Sequence, residues 1–412
     1  MNKTIFFLSI FLSSNIYSKP KLITHSNFCQ KTDVKCLENL ELLSHSFYLG
    51  ADDENTFVGT IHPIYKKLLD VTKPTGLLLT LKFPKKIEDI RNFIKKASLS
   101  QKHPLFYGGD NCQVFFKNKN IRLKPEVNLN RCQSRLRATV AKISGCNFLF
   151  NPVIEKPVKT KNDSNYDKKL VMDAKRDIEI YGKVGIFLTL KHFPFTTAEY
   201  DIHDYLVDFK VSGQKTKDNH LKLFSKFKGS NFAIMTTHIV NSMVDKDIVT
   251  FSEKWNQILR KKLNFKDNLI ITDSINMFFS YGTPVLSRNF KKFDWSSKMS
   301  APAFIYIRAI LAGHDIVINR AASTYQQTLI YDVVKAMEKD YFFIKKFKAN
   351  LLAAKERVIS FKRRYRKQLI FYPEINQVNT NLLLEGIVNK NTKNSFCAKE
   401  KISNILRQVE IF

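Results

Sequence analysis

The chain has 412 residues with 44% hydrophobic side chains, enough for one large α/β barrel or two or three ordinary domains. Lys and Arg number 67 against 37 Asp and Glu, a formal charge of +30 that favours polyanions as partners. The charge is spread along the chain without an RNA-binding, zinc-finger or helix-turn-helix signature, so nucleic acid is not an expected partner.

Lys3, an apolar run over 5–12 and a small, polar stretch over 13–18 have the layout of a secretory signal cut after Ser18. The run is too short to span a bilayer, and no later segment has 18 uninterrupted apolar residues. The expectation is therefore an exported protein, periplasmic or extracellular, with no transmembrane segment and a short N-terminal segment over 19–36. Export permits disulfides among Cys29, Cys36, Cys112, Cys132, Cys146 and Cys397. The expected local pairs are Cys29 with Cys36 and Cys112 with Cys132, while Cys146, in an apolar run, is expected as a buried thiol. No pair has CxxC spacing, so no metal site is expected.

From 37 to 365, short apolar runs alternate with amphipathic stretches. The pattern predicts strands at 46–49, 76–81, 105–107, 148–150, 184–190, 231–235, 269–272 and 316–318, and helices at 87–97, 167–181, 253–262 and 303–312. Eight strand–helix units in roughly 300 residues fit a (β/α)8 barrel better than an open sheet. No GxGxxG or GxxxxGK[ST] follows a strand, so no nucleotide cofactor is expected. Residues 325–364 read as a long basic helical region, and the cluster Lys362, Arg363, Arg364, Arg366, Lys367 as a solvated face. Residues 366–412, broken by Asn376, Asn379, Asn381, Asn389 and Asn391, read as a C-terminal extension.

Two strand ends carry chemistry. The apolar run over 184–190 feeds into Lys191 and His192, Pro194 ends the strand, and a polar loop presents Asp201 and His203. Parallel barrels place such groups at the C-terminal mouth, and an Asp two residues from a His can fix its tautomer and raise its basicity. The run Ile270–Ile271–Thr272 ends in Asp273, which points into a mouth or caps a following helix. Together the two sites offer a carboxylate and a proton-transfer group, as retaining glycoside hydrolysis needs. His238 and His314 follow apolar runs and read as supporting or packing groups. Ser44, Ser46 and Ser274 sit in no nucleophile-elbow pattern.

Lys191-His192-Phe193-Pro194 followed by Asp201-x-His203 resembles the signature of the β-N-acetylhexosaminidase branch of glycoside hydrolase family 3. Similar in order and spacing are Met235-Thr236-Thr237-His238, Thr250-Phe251-Ser252, Leu259-Arg260, Leu263-Asn264-Phe265, Thr272-Asp273-Ser274 and Ala312-Gly313-His314-Asp315. Asn151-Pro152-Val153-Ile154-Glu155 matches a weaker landmark upstream. The resemblance covers residues 37–365 and implies a metal-independent, cofactor-free retaining enzyme acting on β-linked N-acetylglucosamine in peptidoglycan or its fragments. It implies Asp273 as nucleophile, His203 as acid/base paired with Asp201, Lys191 and His192 on sugar hydroxyls, and Asp110 as a sugar-binding carboxylate.

The chain departs from the family pattern in four places. Phe195-Thr196-Thr197 replaces a Gly-His-Gly turn, and Asp110-Asn111-Cys112-Gln113-Val114 replaces Asp-Gln-Glu-Gly-Gly. No arginine motif lies between Glu155 and Lys191, and 278–302, with Trp295, reads as an enlarged mouth loop. These departures leave open a non-catalytic barrel that binds envelope glycan or other polyanions. Nothing in the pattern specifies an oligomeric state.

Overall fold

A computed structural model of the chain describes residues 29, 33–50, 63–78, 87–98, 103–110, 112–116, 119–125, 129–155, 164–195, 206, 221–229, 231–279, 299–320, 323–339, 341–370, 373, 375–389 and 394–410. Its strands are β1 (Phe47–Gly50), β2 (Gly76–Leu78), β3 (Phe106–Gly109), β4 (Gln113–Phe116), β5 (Lys119–Arg122), β6 (Phe148–Leu149), β7 (Phe187–Phe193), β8 (Phe232–Thr236), β9 (Val240–Asn241), β10 (Asp245–Ile248), β11 (Ile270–Ser274) and β12 (Ile316–Asn319). Eight of them close a parallel barrel in the order β1, β2, β3, β6, β7, β8, β11, β12 and back to β1. The fold is a (β/α)8 barrel, and its eight strands lie on the eight predicted runs. The pairs β4–β5 and β9–β10 are antiparallel hairpins that follow β3 and β8.

Period-two alternation divides each strand between two cores. Phe148 and Phe150, Ala233 and Met235, Leu269 and Ile271, and Ile316 and Ile318 fill the barrel with Tyr48, Phe106 and Phe187. The residues between them, such as Leu149, Ile234, Ile270 and Val317, join the larger core beneath the helices. So many rings inside one barrel need room. A Cβ on Gly76 would stand 2.4 Å from the Tyr48 ring, so β2 begins with the residue that has none.

The N-terminal end of the barrel is closed by the helices Ile344–Arg364 and Arg366–Ile370, whose Val358, Phe361 and Leu369 join the inner core. The predicted helical region 325–364 is thus two helices, Ser323–Met337 and Ile344–Arg364. The basic cluster is not one solvated face. Arg363, Arg364, Arg366 and Lys367 are exposed, but Lys362 is buried and its ammonium donates to the Thr75 carbonyl at 2.9 Å. The helical period explains the split, because Lys362 lies on the side of the helix that carries Val358 and Phe361.

At the same end, Asp315 is fully buried between Arg260 Nη2 at 2.5 Å and Arg357 Nε at 2.6 Å, and accepts from the Ile270 N–H at 2.8 Å. Burial raises its pKa, but the two guanidinium groups and the backbone donor outweigh burial and hold it below the usual carboxylate range. The neighbouring His314 receives the Thr236 hydroxyl on Nε2 at 2.8 Å and donates from Nδ1 to the Ala309 carbonyl at 3.0 Å. It is a packing group, as its sequence context suggests.

The six cysteines form Cys29–Cys36, Cys112–Cys146 and Cys132–Cys397. The local pair Cys112–Cys132 is therefore replaced, and Cys146 is not a free thiol. The hairpin β4–β5 intervenes between Cys112 and Cys132, and the helix Arg131–Ile143 carries Cys132 to its outer side. There the C-terminal helices Gln377–Val388, Asn394–Ala398 and Glu400–Val409 dock. Gln133 donates to the Gly386 carbonyl at 3.0 Å, Arg135 pairs with Glu410 at 2.8 Å, and Asn376 caps the first of these helices by accepting from the Asn379 N–H. No helix among the described residues is long and apolar enough to cross a membrane.

Candidate active site

The polar cluster sits at the C-terminal mouth, built mainly from β7 and β11. Strand β7 runs three residues beyond its apolar stretch, because Lys191 stays in the ladder. Its N–H donates to the Pro152 carbonyl at 3.1 Å, its carbonyl accepts from the Ile154 N–H, and Val153 bridges to it in parallel. The extension brings Glu155 level with His192. Glu155 Oε1 lies 2.5 Å from His192 Nδ1.

The other ring nitrogen, His192 Nε2, is 3.4 Å from Asp273 Oδ2. Asp273 belongs to β11, and a short 3-10 helix, Ile275–Phe279, follows it. Its Oδ1 accepts from the Ser274 N–H next door at 2.7 Å, so it does not cap a helix two or three residues on. Burial raises the Asp273 pKa, yet His192, His238, Lys191 and the Ser274 N–H outweigh it, and the carboxyl sits below its ordinary value. A carboxylate kept ionised at a strand end is suited to act as a nucleophile.

Lys191 forms an ion pair with Asp110, which follows β3 and whose carbonyl is held by Asn151 Nδ2 at 2.8 Å. The Asp110 side chain is 45% exposed, open to a ligand in the mouth, whereas that of Lys191 is 10% exposed. Behind β11, His238 Nε2 donates to the Ser274 carbonyl at 3.0 Å, and its Nδ1 meets the Thr250 hydroxyl at 2.6 Å. His238 thus braces the backbone beside Asp273, with Phe278 against its ring at 4.2 Å.

Asp110, Lys191, His192 and Asp273 are therefore brought together at one mouth. Asp201, His203 and Trp295 lie outside the described residues. The pattern did not single out Glu155 as a site residue. The landmark stretch ending in it was visible, but its partner His192 is 37 positions away on the next barrel strand. Among the described residues the one cluster with metal-ligand composition is Asp33, Cys36 and Glu338, and Cys36 offers no thiolate because it is bonded to Cys29.

Fold and site together define a (β/α)8 barrel with an ionised carboxylate and a lysine–histidine pair at its C-terminal mouth, the end where this fold carries its chemistry. Residues 163–341 match the glycosyl hydrolase family 3 N terminal domain. A beta-hexosaminidase of Pseudomonas aeruginosa is 34% identical over 95 residues, 23% of this chain and 28% of that protein, so the match spans little more than a quarter of that relative's length. Among solved structures, the beta-N-acetylhexosaminidase of Beutenbergia cavernae is similar with a TM-score of 0.60 and 18% identity, over 79% of this chain and 98% of that one. A family 3 beta-N-acetylglucosaminidase of a Paenibacillus species is similar with a TM-score of 0.56 and 15% identity, over 90% of this chain and 67% of that one.

Proposed function

We propose that the protein is an exported retaining glycoside hydrolase that removes β-linked N-acetylglucosamine from peptidoglycan or its fragments. The observation that carries the reading is Asp273, held below its ordinary pKa at the end of β11 and 3.4 Å from His192. Asp273 attacks the anomeric carbon, and the bond to the leaving oxygen breaks as His203, oriented by Asp201, gives that oxygen a proton. In the second half His203 takes a proton from water, which displaces Asp273 with the same stereochemistry. Asp110 and Lys191 present a carboxylate and an ammonium to sugar hydroxyls, and His192 holds a further hydroxyl with its ring oriented by Glu155.

The sugar preference is supported by the hexosaminidase names of the similar proteins. Export is supported by the N-terminal layout and by three disulfides among the described residues. The +30 charge would hold the protein near anionic envelope polymers. The barrel domain is proposed as 37–365 and the extension as 366–412, of which the helices Gln377–Val388, Asn394–Ala398 and Glu400–Val409 dock beside the helix Arg131–Ile143.

The test is hydrolysis of a chromogenic β-N-acetylglucosaminide by the wild type, Asp273→Ala and His203→Ala. Turnover that is lost in the first variant and reduced in the second is expected. Saturable glycan binding without wild-type turnover would instead identify an inert, glycan-binding barrel.

A further inference from the structure

The end of the barrel opposite Asp273 holds a cavity of about 370 Å³ that the proposed reaction does not use. Its walls are the segments that enter the first three strands. His45 precedes β1, Thr75 precedes β2 and His103 precedes β3, while Lys362 comes from the helix that closes this end. Apolar side chains such as Leu37, Leu40 and Val71 share the lining with three buried donors. Lys362 is 3% exposed, Thr75 1% and His45 8%. The acidic lining groups lie further out, since Glu41 is exposed and paired with Lys355 at 3.4 Å, and Asp70 is only half-buried.

Two floor groups lack the partners that burial demands. The Lys362 ammonium has three N–H donors; it gives one to the Thr75 carbonyl at 2.9 Å and stands 4.8 Å from the Phe106 ring. Among the described residues no carboxylate pairs with it. The Thr75 hydroxyl has no hydrogen-bond partner among the described residues either. A cation taken out of water without a counter-charge is costly, and burial pulls Lys362 down to about 7. A bound anion would supply the missing charge and fill the open hydrogen bonds.

We propose that this cavity binds a small oxyanion, of the phosphate or carboxylate class, held by Lys362, the Thr75 hydroxyl and His45. The volume lies in the range of small-molecule pockets, and two imidazoles, those of His45 and His103 with ring centres 5.6 Å apart, add donors able to meet further anionic oxygens. This second site occupies the strand end that in barrels of this kind serves stability rather than catalysis, so its ligand and the glycan reach opposite faces of the molecule.

The experiment titrates inorganic phosphate, and separately succinate, into the full chain by calorimetry, alongside Lys362→Met, Thr75→Val and the exposed control Lys226→Met. One-site saturable binding of at least one anion is expected, and which one binds identifies the source. Affinity should fall roughly tenfold or more in Lys362→Met and about fivefold in Thr75→Val, and stay unchanged in Lys226→Met. If Lys362→Met does not fold, Thr75→Val decides, because it removes only the hydroxyl. The proposal is overturned if neither anion saturates, if Thr75→Val binds as the wild type does, or if Lys226→Met weakens binding as much as the floor variants.

Discussion

Glu155 and His192 are joined by a 2.5 Å contact between Oε1 and Nδ1, and this contact turns the opposite ring nitrogen toward Asp273. Imidazole has two chemically distinct nitrogens, so a carboxylate on one fixes what the other can offer. Glu155 is thus a positioning residue for His192, the imidazole beside Asp273.

Glu155→Gln keeps the shape and removes the charge. We expect kcat/KM on the β-N-acetylglucosaminide to fall on the order of 10²-fold, mostly in kcat, because a small misplacement near the reacting atoms has that effect. Thermal unfolding should move by only a few degrees, about 1 kcal/mol, since the pair is partly solvated. A fall in activity that tracks a large loss of Tm would point to a structural role instead.

Asp110→Ala leaves the Lys191 ammonium without its ion-pair partner at a half-open mouth. Stability should hardly change, as partly exposed pairs contribute about 0–1 kcal/mol. KM should rise about tenfold if the carboxylate accepts a sugar hydroxyl, the size of one hydrogen bond to a charged group. Steady-state kinetics with unchanged KM would remove Asp110 from the binding site.

The Asp315 clamp tests the opposite end of the barrel. Asp315→Ala strands Arg260 and Arg357 beside a buried backbone N–H. Breaking such a pair costs roughly 3–5 kcal/mol, to be read from urea midpoints. Activity per folded molecule should survive, because Asp315 precedes β12, whereas His192 and Asp273 lie toward the opposite, C-terminal strand ends.

Removing the Cys132–Cys397 bond by Cys397→Ser should destabilise the fold by roughly 2–5 kcal/mol, because 265 residues separate the two cysteines and the open chain gains that freedom. Limited proteolysis should then cut first in 394–410, the stretch whose tether is lost. Cleavage unchanged from the wild type would show that the Arg135–Glu410 pair and apolar packing suffice.

Acid should weaken the fold in a defined window. Burial pushes His314 from 6.5 down to about 4. The unfolded chain therefore binds this proton first, and stability falls as pH drops from 6.5 to about 4, by about 3 kcal/mol. Asp315, whose pKa is also lowered, adds its loss at lower pH. Urea midpoints at pH 7, 5.5 and 4.5 should show this slope in the wild type and a flatter one in His314→Gln.

The barrel was legible because strands buried on both faces read as unbroken apolar runs. The hairpins β4–β5 and β9–β10 were not, since four polar or mixed residues such as Asp245-Lys246-Asp247-Ile248 carry no such run. Lys191, His192 and Asp273 could be picked out because each ends an apolar run. Glu155 could not, because its importance depends on β6 and β7 lying side by side in one register. Lys362 was misread for a related reason: inside a basic run, only the turn of the helix against Phe106 tells which charge goes inward.

By itself, then, the sequence determined the order of the eight barrel strands and which groups stand at their ends, since local hydrophobic pattern dictates what must be buried. Which group meets which was decided only by closure of the barrel. Cys132 finds Cys397, Glu155 finds His192 and Asp315 finds Arg260 and Arg357 through contacts between segments far apart in the chain, and such contacts are set by register and packing that no local window contains.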